Sequence, residues 1–369
     1  MQAVKAVIYL DNLRQNIETI RGKIGHGTAI CVSVKANAYG HGAVPAAKTA
    51  LEAGASWLAV ASAGEGSELR KAGISAKILV FSQIFPDEAK DIAALNLIPF
   101  ASDRETLQNL NDAVPSGDDP LEVHLKVDTG MGRLGCRPEE AAELAVFIST
   151  LKNLRLGGMA THLAVSDSLK LEDVDFTKRQ LALFREASDA VRNSGIDPGL
   201  LHAANSGAIC FHEDSYLSMV RPGILVYGYS PAAGIPGGLA AKPVMELRSA
   251  VALIKKIRRG EPVSYGRTWT APEDTLIGTL PVGYADGLPR LLSNNHSVCI
   301  RDKPYPLVGR ICMDHCMVNL GMNSEIKRWD EAVIFGPGFE DASSIAAKTG
   351  TITYEILCGV SSRVPREYV

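Results

Sequence analysis

The segment AICVSVKANAYGHG, residues 29–42, joins an apolar, β-branched run to a stretch of small and turn-forming residues. A short apolar run bounded in this way predicts a buried strand over 29–34. The residues that follow predict a helix from about Ala43 to Glu52, which Gly54 ends. Lys35 therefore stands at the carboxyl end of a buried strand, a place suited to a lysine that forms a Schiff base. The alternative is a lysine that extends into solvent from a strand end.

The alternation of strand and helix continues beyond this first unit. Further strands are predicted at 57–61, 77–81, 97–101, 121–127, 155–161, 200–204 and 224–227. Helices are predicted between most of them, for example at 87–95, 103–113, 138–151 and 176–194. Alternating strands and helices predict a parallel sheet with helices outside it. Eight such units in about 230 residues favour a closed (β/α)₈ barrel over an open sheet.

The sequence changes character after a stretch rich in Pro and Gly at 230–238. Short runs with turn residues between them follow, at 245–257, 275–282, 297–302, 305–318 and 331–335, with helices near 343–349 and 354–359. We therefore predict an α/β protein with two domains. Residues 1–232 form an N-terminal (β/α)₈ TIM-type barrel, and residues 233–369 form a C-terminal, mainly antiparallel β domain.

Composition narrows the classes of function. The 369 residues carry a net charge of −3 and no basic stripe, so nucleic acid is not an expected partner. We see no apolar stretch long enough to span a bilayer and no secretory signal, so we expect no membrane association. An odd number of irregularly spaced cysteines, seven, is typical of reduced thiols in a cytoplasmic protein. The segment from Cys312 to Cys316 lacks a second ligand cluster, so we expect no metal site.

Polar residues cluster at the predicted strand ends, where barrel enzymes carry their chemistry. Arg133 follows the fifth strand, His162 ends the sixth, and Asn205 and Ser206 follow the seventh. Arg221 lies just before the predicted eighth strand. Each has a structural alternative, such as a hydrogen-bonded core histidine at His162 or a surface ion pair at Arg133. Their shared position at one end of a barrel predicts a single site around Lys35.

Motifs along the whole chain carry a family resemblance. Residues 34–42, VKANAYGHG, resemble the pyridoxal-phosphate attachment signature of alanine racemases. The resemblance continues, in order, through residues 126–135, 161–164, 205–206, 221–224, 263–268, 281–287, 308–314, 353–355 and 363–366. It implies a barrel with a second β domain, pyridoxal 5'-phosphate as cofactor, and interconversion of L- and D-alanine by two bases. It also implies D-alanine for peptidoglycan, and a homodimer whose second domain completes the partner's site.

The resemblance assigns roles to individual residues. Lys35 would bind the cofactor and act as base on D-alanine, and Tyr265 of the partner subunit would act on L-alanine. Arg221 would face the pyridine nitrogen, and Arg133 and the backbone of Met313 would bind the substrate carboxylate. The other implied residues bind the cofactor (Tyr39, Arg133, His162, Asn205, Ser206, Gly223, Ile224 and Tyr354), become carbamylated (Lys126), or line the substrate entrance (Tyr284, Arg290 and Arg310).

Tyrosine side chains ordinarily ionise near pH 10, so a tyrosine base needs cationic or hydrogen-bonding neighbours. His162 and Arg221 are the expected neighbours. Three alternatives stay open at this point. These are a racemase of broad specificity, a serine racemase, and a non-catalytic pyridoxal-phosphate-binding protein that shares the barrel. Decarboxylases of the same fold fit less well, because they place a carboxylate where Arg221 stands.

Overall fold

The computed structural model describes residues 4–115, 117, 119–231 and 238–369. The predicted domain boundary between residues 232 and 233 lies outside the described residues. In the described part of the chain, no helix is long and apolar enough to cross a membrane.

The strands lie, in chain order, at β1 Val4–Ile8, β2 Ala29–Ser33, β3 Trp57–Val60, β4 Lys77–Val80, β5 Ile98–Ala101, β6 Leu121–Lys126, β7 Leu154–Ala160, β8 Leu200–His202, β9 Met219–Val220, β10 Met245–Ala250, β11 Leu253–Ile257, β12 Pro262–Val263, β13 Trp269–Thr270, β14 Thr275–Leu280, β15 Ser297–Ile300, β16 Lys303–Pro306, β17 Cys316–Asn319, β18 Glu331–Phe335 and β19 Arg366–Tyr368.

The α-helices lie at α1 Leu10–Ile24, α2 Lys35–Tyr39, α3 Ala43–Glu52, α4 Ala63–Lys71, α5 Ala89–Ala94, α6 Arg104–Ala113, α7 Ala141–Thr150, α8 Leu171–Asn193, α9 Ser206–Phe211, α10 Ala342–Thr349 and α11 Thr353–Gly359. Short 3₁₀ turns lie at Pro138–Glu140, Glu213–Ser215, Tyr265–Arg267, Tyr284–Asp286 and Arg290–Leu292.

An eight-stranded parallel sheet forms the barrel, in the order β8-β7-β6-β5-β4-β3-β2-β9. Backbone hydrogen bonds between its two end strands close it. Ser218 N–H donates to Leu201 O at 2.9 Å, and Arg221 N–H donates to Ala204 O at 2.8 Å. The predicted (β/α)₈ barrel is therefore confirmed, and its strand ends converge on one face.

The predicted strand at 224–227 is wrong, because the eighth barrel strand is β9, Met219–Val220. Residues 223–229 form consecutive turns, in which Val226 N–H donates to Gly223 O at 2.9 Å and Tyr227 N–H to Ile224 O at 3.1 Å. The apolar run is buried there as a strand would be, so hydrophobicity alone did not distinguish the two. Arg221 consequently follows its strand instead of preceding it.

The second domain contains a six-stranded sheet in the order β16-β15-β18-β10-β1-β19 and a three-stranded sheet in the order β11-β14-β17. Apart from the parallel pair β1–β19, these strands pair antiparallel, which confirms the predicted β domain. Strand β1 was not predicted. It precedes the barrel in sequence but pairs with β10 and β19.

Candidate active site

A cavity of about 350 Å³ opens at the carboxyl ends of the barrel strands. Its wall contains most of the residues that the sequence predicted for the barrel part of the site. These are Lys35, Tyr39, Lys126, Arg133, His162, Asn205, Ser206, Arg221, Gly223 and Tyr354. Ile224 is buried beside Gly223 and is not part of the wall. Phe81 and Phe100 stack at a centroid distance of 5.4 Å and provide apolar surface.

A one-turn left-handed helix follows Lys35 directly. Ala36, Asn37 and Ala38 have φ angles of 52°, 52° and 54° with ψ near 50°, and Tyr39 has φ 53°. Such a conformation is rare for residues other than Gly and is unfavourable by about 1–2 kcal/mol per residue. The turn reverses the chain directly after β2, so that the Lys35 side chain lies in the cavity wall.

Hydrogen bonds from several elements hold this turn. The Glu65 carboxylate on α4 accepts from Ala36 N–H at 2.7 Å and from Ala61 N–H at 2.7 Å. His41 Nδ1 lies 2.8 Å from Ala38 O and 3.0 Å from Tyr39 O, so this nitrogen carries a proton and donates. Arg366 Nε in the second domain donates to Gly40 O at 2.9 Å. The position of Lys35 thus depends on both domains.

The surroundings of Lys35, chiefly its burial, favour the neutral amine. Burial lowers the pKa of Lys35, and the charge of Arg133 lowers it further, while Glu65 and Cys358 act in the opposite direction. A lysine with a lowered pKa holds a larger fraction of its amine in the neutral, nucleophilic form.

Arg221 is a buried guanidinium in the cavity wall. It donates from Nη1 to His202 Nδ1 at 2.7 Å, and from Nη2 to Thr161 O at 2.6 Å and to Ala203 O at 3.1 Å. Burial lowers its pKa to about 10, so it stays charged at neutral pH. None of these partners is a carboxylate.

Two further titratable groups in the wall, Lys126 and His162, have lowered pKa values. Burial lowers the pKa of Lys126 to about 7, and Arg221 adds to the effect. The pKa of His162 is lowered well below its usual value by burial, and then by the charges of Arg221 and Lys126. Both groups therefore have a neutral form that is accessible at neutral pH.

Another part of the wall, around Ser206 and Gly223, leaves room for a small polar group. Ser206 Oγ accepts from Gly223 N–H at 2.9 Å. A Cβ on Gly223 would lie 2.5 Å from Tyr39 Oη, so a larger residue there would displace the tyrosine. The rings of Tyr39 and Tyr354 lie 5.8 Å apart. Asn205 acts differently, since its Oδ1 caps α9 by accepting from Ala208 N–H at 3.0 Å.

Apart from Tyr354, the residues predicted from the second domain form a separate group, which we call the exposed cluster: Tyr265, Tyr284, Arg290, Arg310 and Met313. Within the described residues, none of them is in the cavity wall of its own chain. Tyr265 is 71% exposed and Met313 53% exposed. Hydrogen bonds bring their loops together, for example from Ser264 Oγ to Arg310 O at 2.6 Å and from Tyr284 N–H to Cys312 O at 3.0 Å.

Sequence reasoning missed Glu65, and a local signal for it exists. Ser62 and Glu65 are spaced as in a capping box at the start of α4. Ser62 Oγ indeed accepts from Glu65 N–H at 3.3 Å, while the Glu65 carboxylate reaches back to Ala61 and across to Ala36. The contact to Ala36 is long-range and could not be deduced from that spacing.

The charge of the cavity indicates the class of ligand. Four of the described wall residues are Lys or Arg, namely Lys35, Lys126, Arg133 and Arg221, and none is Asp or Glu. Lys126 and Arg221 are buried, Lys35 is partly buried and Arg133 is exposed. Positive charge that lies in a cavity without a carboxylate is stabilised by a bound anion. Its volume and aromatic surface fit a small, anionic, partly aromatic molecule.

Comparison with known proteins identifies the family. Residues 8–231 match the description "Alanine racemase, N-terminal domain", and residues 244–368 match "Alanine racemase, C-terminal domain". Alanine racemase of Treponema denticola is 46% identical, with 100% of this chain and 99% of the relative covered. Alanine racemase of Desulforamulus reducens is 41% identical, with 100% and 99% covered.

Solved structures agree with these sequence relatives. Alanine racemase of Clostridium difficile 630 superimposes with a TM-score of 0.95 at 37% identity, covering 100% of this chain and 96% of that one. Alanine racemase from Bacillus anthracis with bound L-Ala-P superimposes with a TM-score of 0.92 at 32% identity, covering 100% and 95%. The chain belongs to the alanine racemase family.

Proposed function

We propose that this protein interconverts L-alanine and D-alanine with pyridoxal 5'-phosphate. The observation that carries the proposal is the cavity around Lys35, whose charged wall residues are all cationic. The cofactor brings an anionic phosphate, an aromatic ring and an aldehyde that reacts with a neutral lysine amine. Ser206, Gly223, Tyr39 and Tyr354 are suited to the phosphate, Lys35 to the aldehyde and Arg133 to the phenolic oxygen.

The role of the cofactor is electronic. When bound, pyridoxal phosphate delocalises the electron pair that remains on Cα after a proton is removed. Arg221 limits this delocalisation, because a guanidinium facing the ring nitrogen donates hydrogen bonds and does not supply a proton. A limited delocalisation favours quick return of the proton to Cα, as racemisation requires.

Inversion at Cα requires a proton to leave one face and return on the other. Lys35 Nζ lies in the wall and supplies the base on one face, acting on D-alanine. The second base is Tyr265 of the partner subunit, acting on L-alanine, with His162 and Arg221 as its polar surroundings. Arg133 and the backbone of Met313 of the partner subunit hold the substrate carboxylate, and Tyr284, Arg290 and Arg310 line the entrance.

The proposal therefore includes a homodimer with two shared sites. The high exposure of Tyr265 and Met313 in a single chain supports it, since apolar side chains gathered on a surface favour a protein contact. We also propose a cytoplasmic location, supported by seven free cysteines, and D-alanine for peptidoglycan as the physiological product.

Deuterium exchange tests the function directly. The purified protein with pyridoxal phosphate, incubated with L-alanine in D₂O, should form D-alanine that carries deuterium at Cα. L-serine should be converted at least tenfold less efficiently; comparable kcat/KM values for the two amino acids would support the broad-specificity alternative. Absence of both exchange and inversion would point to a non-catalytic pyridoxal-phosphate protein.

Tyr265→Phe separates the two bases. L- and D-alanine have equal free energies, so kcat/KM must fall equally in both directions for any variant and cannot identify a base. Exchange without inversion can identify it. We expect the Tyr265→Phe enzyme to exchange the Cα proton of D-alanine, through Lys35, while L-alanine keeps its proton. Equal loss of exchange from both enantiomers would contradict the assignment.

A further inference from the structure

A buried polar path crosses the barrel interior beneath the active-site cavity. Glu122, His124 and Lys126 occupy every second position of β6, so all three side chains lie on the same, inner face of the sheet. Glu122 is near the amino end of the strand, and Lys126 is at the cavity. Apolar residues fill the rest of the interior: Cys31, Trp57, Ala59, Leu79, Ile98, Phe100, Ala160 and Met219.

The path is continuous from the carboxylate to Arg221. Glu122 Oε1 lies 3.3 Å from His124 Nε2, and His124 Nδ1 lies 2.8 Å from His202 Nε2. Arg221 Nη1 lies 2.7 Å from His202 Nδ1. Both histidines are fully buried, and Glu122 is almost so. A buried polar chain in a barrel interior that is otherwise packed with apolar side chains requires an explanation.

The proton positions along this path follow from Arg221. A guanidinium only donates, so His202 Nδ1 must accept and His202 carries its proton on Nε2. That proton is donated to His124 Nδ1, which leaves the proton of His124 on Nε2, facing the Glu122 carboxylate. Every hydrogen bond therefore runs in one direction, from Arg221 to Glu122, with both imidazoles neutral.

The neighbouring strand is shaped for these side chains. A Cβ on Gly157 would lie 2.3 Å from Glu122 Cγ, and a Cβ on Gly158 would lie 2.7 Å from His124 Cε1. The register between β6 and β7 also shifts at Val123/His124. Two adjacent glycines on β7 thus leave the space that the path occupies.

Charges and burial are consistent with the same proton positions. Burial opposes ionisation of Glu122, but hydrogen bonds from His124 and Lys77 and the charge of Arg155 outweigh it and lower its pKa to about 2. Burial lowers the pKa of His124, and burial and then Arg221 lower the pKa of His202 well below its usual value. A carboxylate ends the path, and two neutral rings separate it from Arg221.

We propose that Glu122 and His124 are positioning residues that act on Arg221 through His202. They favour the same His202 tautomer that Arg221 requires, with Nδ1 as the acceptor, and so support the hydrogen bond that holds one edge of the guanidinium. The bond from Nη1 to His202 and the two bonds from Nη2 to backbone carbonyls use three of the five N–H groups of Arg221. Two N–H groups are left for a ligand in the cavity. Glu122, the carboxylate at the end of the path, pairs directly with Lys77 and Arg155 and is not in the cavity wall. That the ligand is pyridoxal phosphate rests on the proposed function.

Nitrogen NMR of the holoenzyme tests the proton positions independently of activity. The protein is deuterated and labelled with ¹⁵N-histidine, and each of the eight histidines is assigned by its own His→Gln variant. We expect His124 and His202 to be neutral and protonated at Nε2 between about pH 6 and pH 9. A proton on Nδ1 of either ring, or a cationic ring near pH 7, would overturn the proposal. A protein without racemase activity would still give this readout.

Two substitutions at His124 then separate positioning from packing. His124→Gln keeps an acceptor for His202 and a donor for Glu122, whereas His124→Leu leaves the His202 N–H without an acceptor. We expect His124→Leu to lower kcat about tenfold with little change in KM, and His124→Gln to retain kcat within about threefold. Equal kcat values for the two variants would overturn the proposal.

A matched control and a milder pair complete the design. His212→Leu removes another buried histidine, whose Nε2 has no hydrogen-bond partner among the described residues, and should leave kcat unchanged. If His124→Leu does not fold, Glu122→Gln and Glu122→Leu replace it. The glutamine should keep an acceptor for the N–H at His124 Nε2, and the leucine should leave that N–H without one, so kcat should fall more in Glu122→Leu than in Glu122→Gln. Equal kcat values in both variants would count against Glu122.

Discussion

Lys126 brings an amine into the barrel interior at a thermodynamic cost. Its side chain is only 6% exposed, and burial with the charge of Arg221 lowers its pKa to about 7. In the unfolded chain a lysine ionises near pH 10.4. Between about pH 7 and pH 10 the unfolded chain therefore binds more protons than the folded one, so this group makes stability rise with pH. Below about pH 7 both states are protonated, and the full cost of the buried charge remains.

Lys126→Met removes that cost. We expect the variant to exceed the wild type in free energy of unfolding most clearly at pH 6, and the difference to shrink towards pH 10. Between pH 7 and pH 10, the difference in free energy of unfolding between the two proteins should shrink by up to ~1.4 kcal/mol per pH unit. Urea unfolding in CO₂-free buffer, at one protein concentration, measures it. A pH-independent difference would contradict the lowered pKa.

Carbamylation of Lys126 stays a prediction, and the same measurement addresses it. The neutral amine is the form that adds CO₂, and a carbamate is an anion that the surrounding cations would stabilise. Adding bicarbonate should therefore raise the stability of the wild type and leave Lys126→Met unchanged. Intact-mass analysis under non-acidic conditions should show the adduct in the wild type alone.

The sequence predicted single residues best where they follow a strand. Lys35, His162 and Ser206 were expected in one site because parallel strand ends meet at one face of a barrel, and all three are in the cavity wall. His202, Glu122 and His124 were not expected in any site. Their importance depends on contacts between strands, which the spacing along one strand does not reveal.

At the scale of elements, the left-handed turn after Lys35 is the least favourable piece of backbone in the site. Four successive non-glycine residues, 36–39, have positive φ angles, and the bonds from Glu65 and His41 hold them there. The family motif predicted that a site begins here, but the sequence offered no reason to expect positive φ at alanine, since glycine is the usual residue for it.

Ala36→Gly tests this strain. Ala36 is exposed, so the substitution removes little packing and mainly relieves the unfavourable φ. We expect the free energy of unfolding to rise by up to about 1 kcal/mol. Ala182→Gly is the matched control, because Ala182 is exposed in the right-handed helix α8. This substitution should lower the free energy of unfolding by about 1 kcal/mol. Destabilisation by both substitutions would show that the turn is not strained.

Element boundaries show where local patterns stop being sufficient. Helix α3 and strand β18 were predicted at their observed bounds, because turn residues or caps flank a clear periodic run. The run 305–318 instead contains the end of β16, a loop and the start of β17. The loop carries Arg310 and Met313 of the exposed cluster. Part of a segment whose apolar residues predicted a strand therefore forms a loop of that cluster.

At the scale of the whole molecule, the cavity wall and the exposed cluster belong to the same chain but are separate within it. In the proposed dimer, the exposed cluster of each chain lies at the cavity of the other chain. Each site then contains Lys35 of one chain and Tyr265 of the partner subunit. A two-fold symmetric dimer then forms two equivalent sites.

Mixed dimers test that arrangement. Lys35→Ala and Tyr265→Phe chains with different tags are co-expressed, and the mixed dimer is purified through both tags. Shared sites leave one intact site, so we expect about half of the wild-type activity. Each parent homodimer should be nearly inactive.

The reciprocal pair is the control. A chain carrying both substitutions, paired with a wild-type chain, should be nearly inactive when sites are shared, because each site loses one base. Sites confined to single chains predict the reverse result in both experiments, so either outcome is decisive.

Strand β1 has a consequence for how the chain folds. It precedes every barrel strand, yet it lies between β10 and β19 in the second sheet. A ribosome releases the barrel segment as an uninterrupted run, while the two neighbours of β1 are synthesised only afterwards. The amino-terminal strand can therefore pair with β10 only after the barrel segment has been synthesised, and with β19 later still. The Arg366 contact that holds the turn after Lys35 likewise forms only after nearly the whole chain has been synthesised, so the backbone around Lys35 gains this support late.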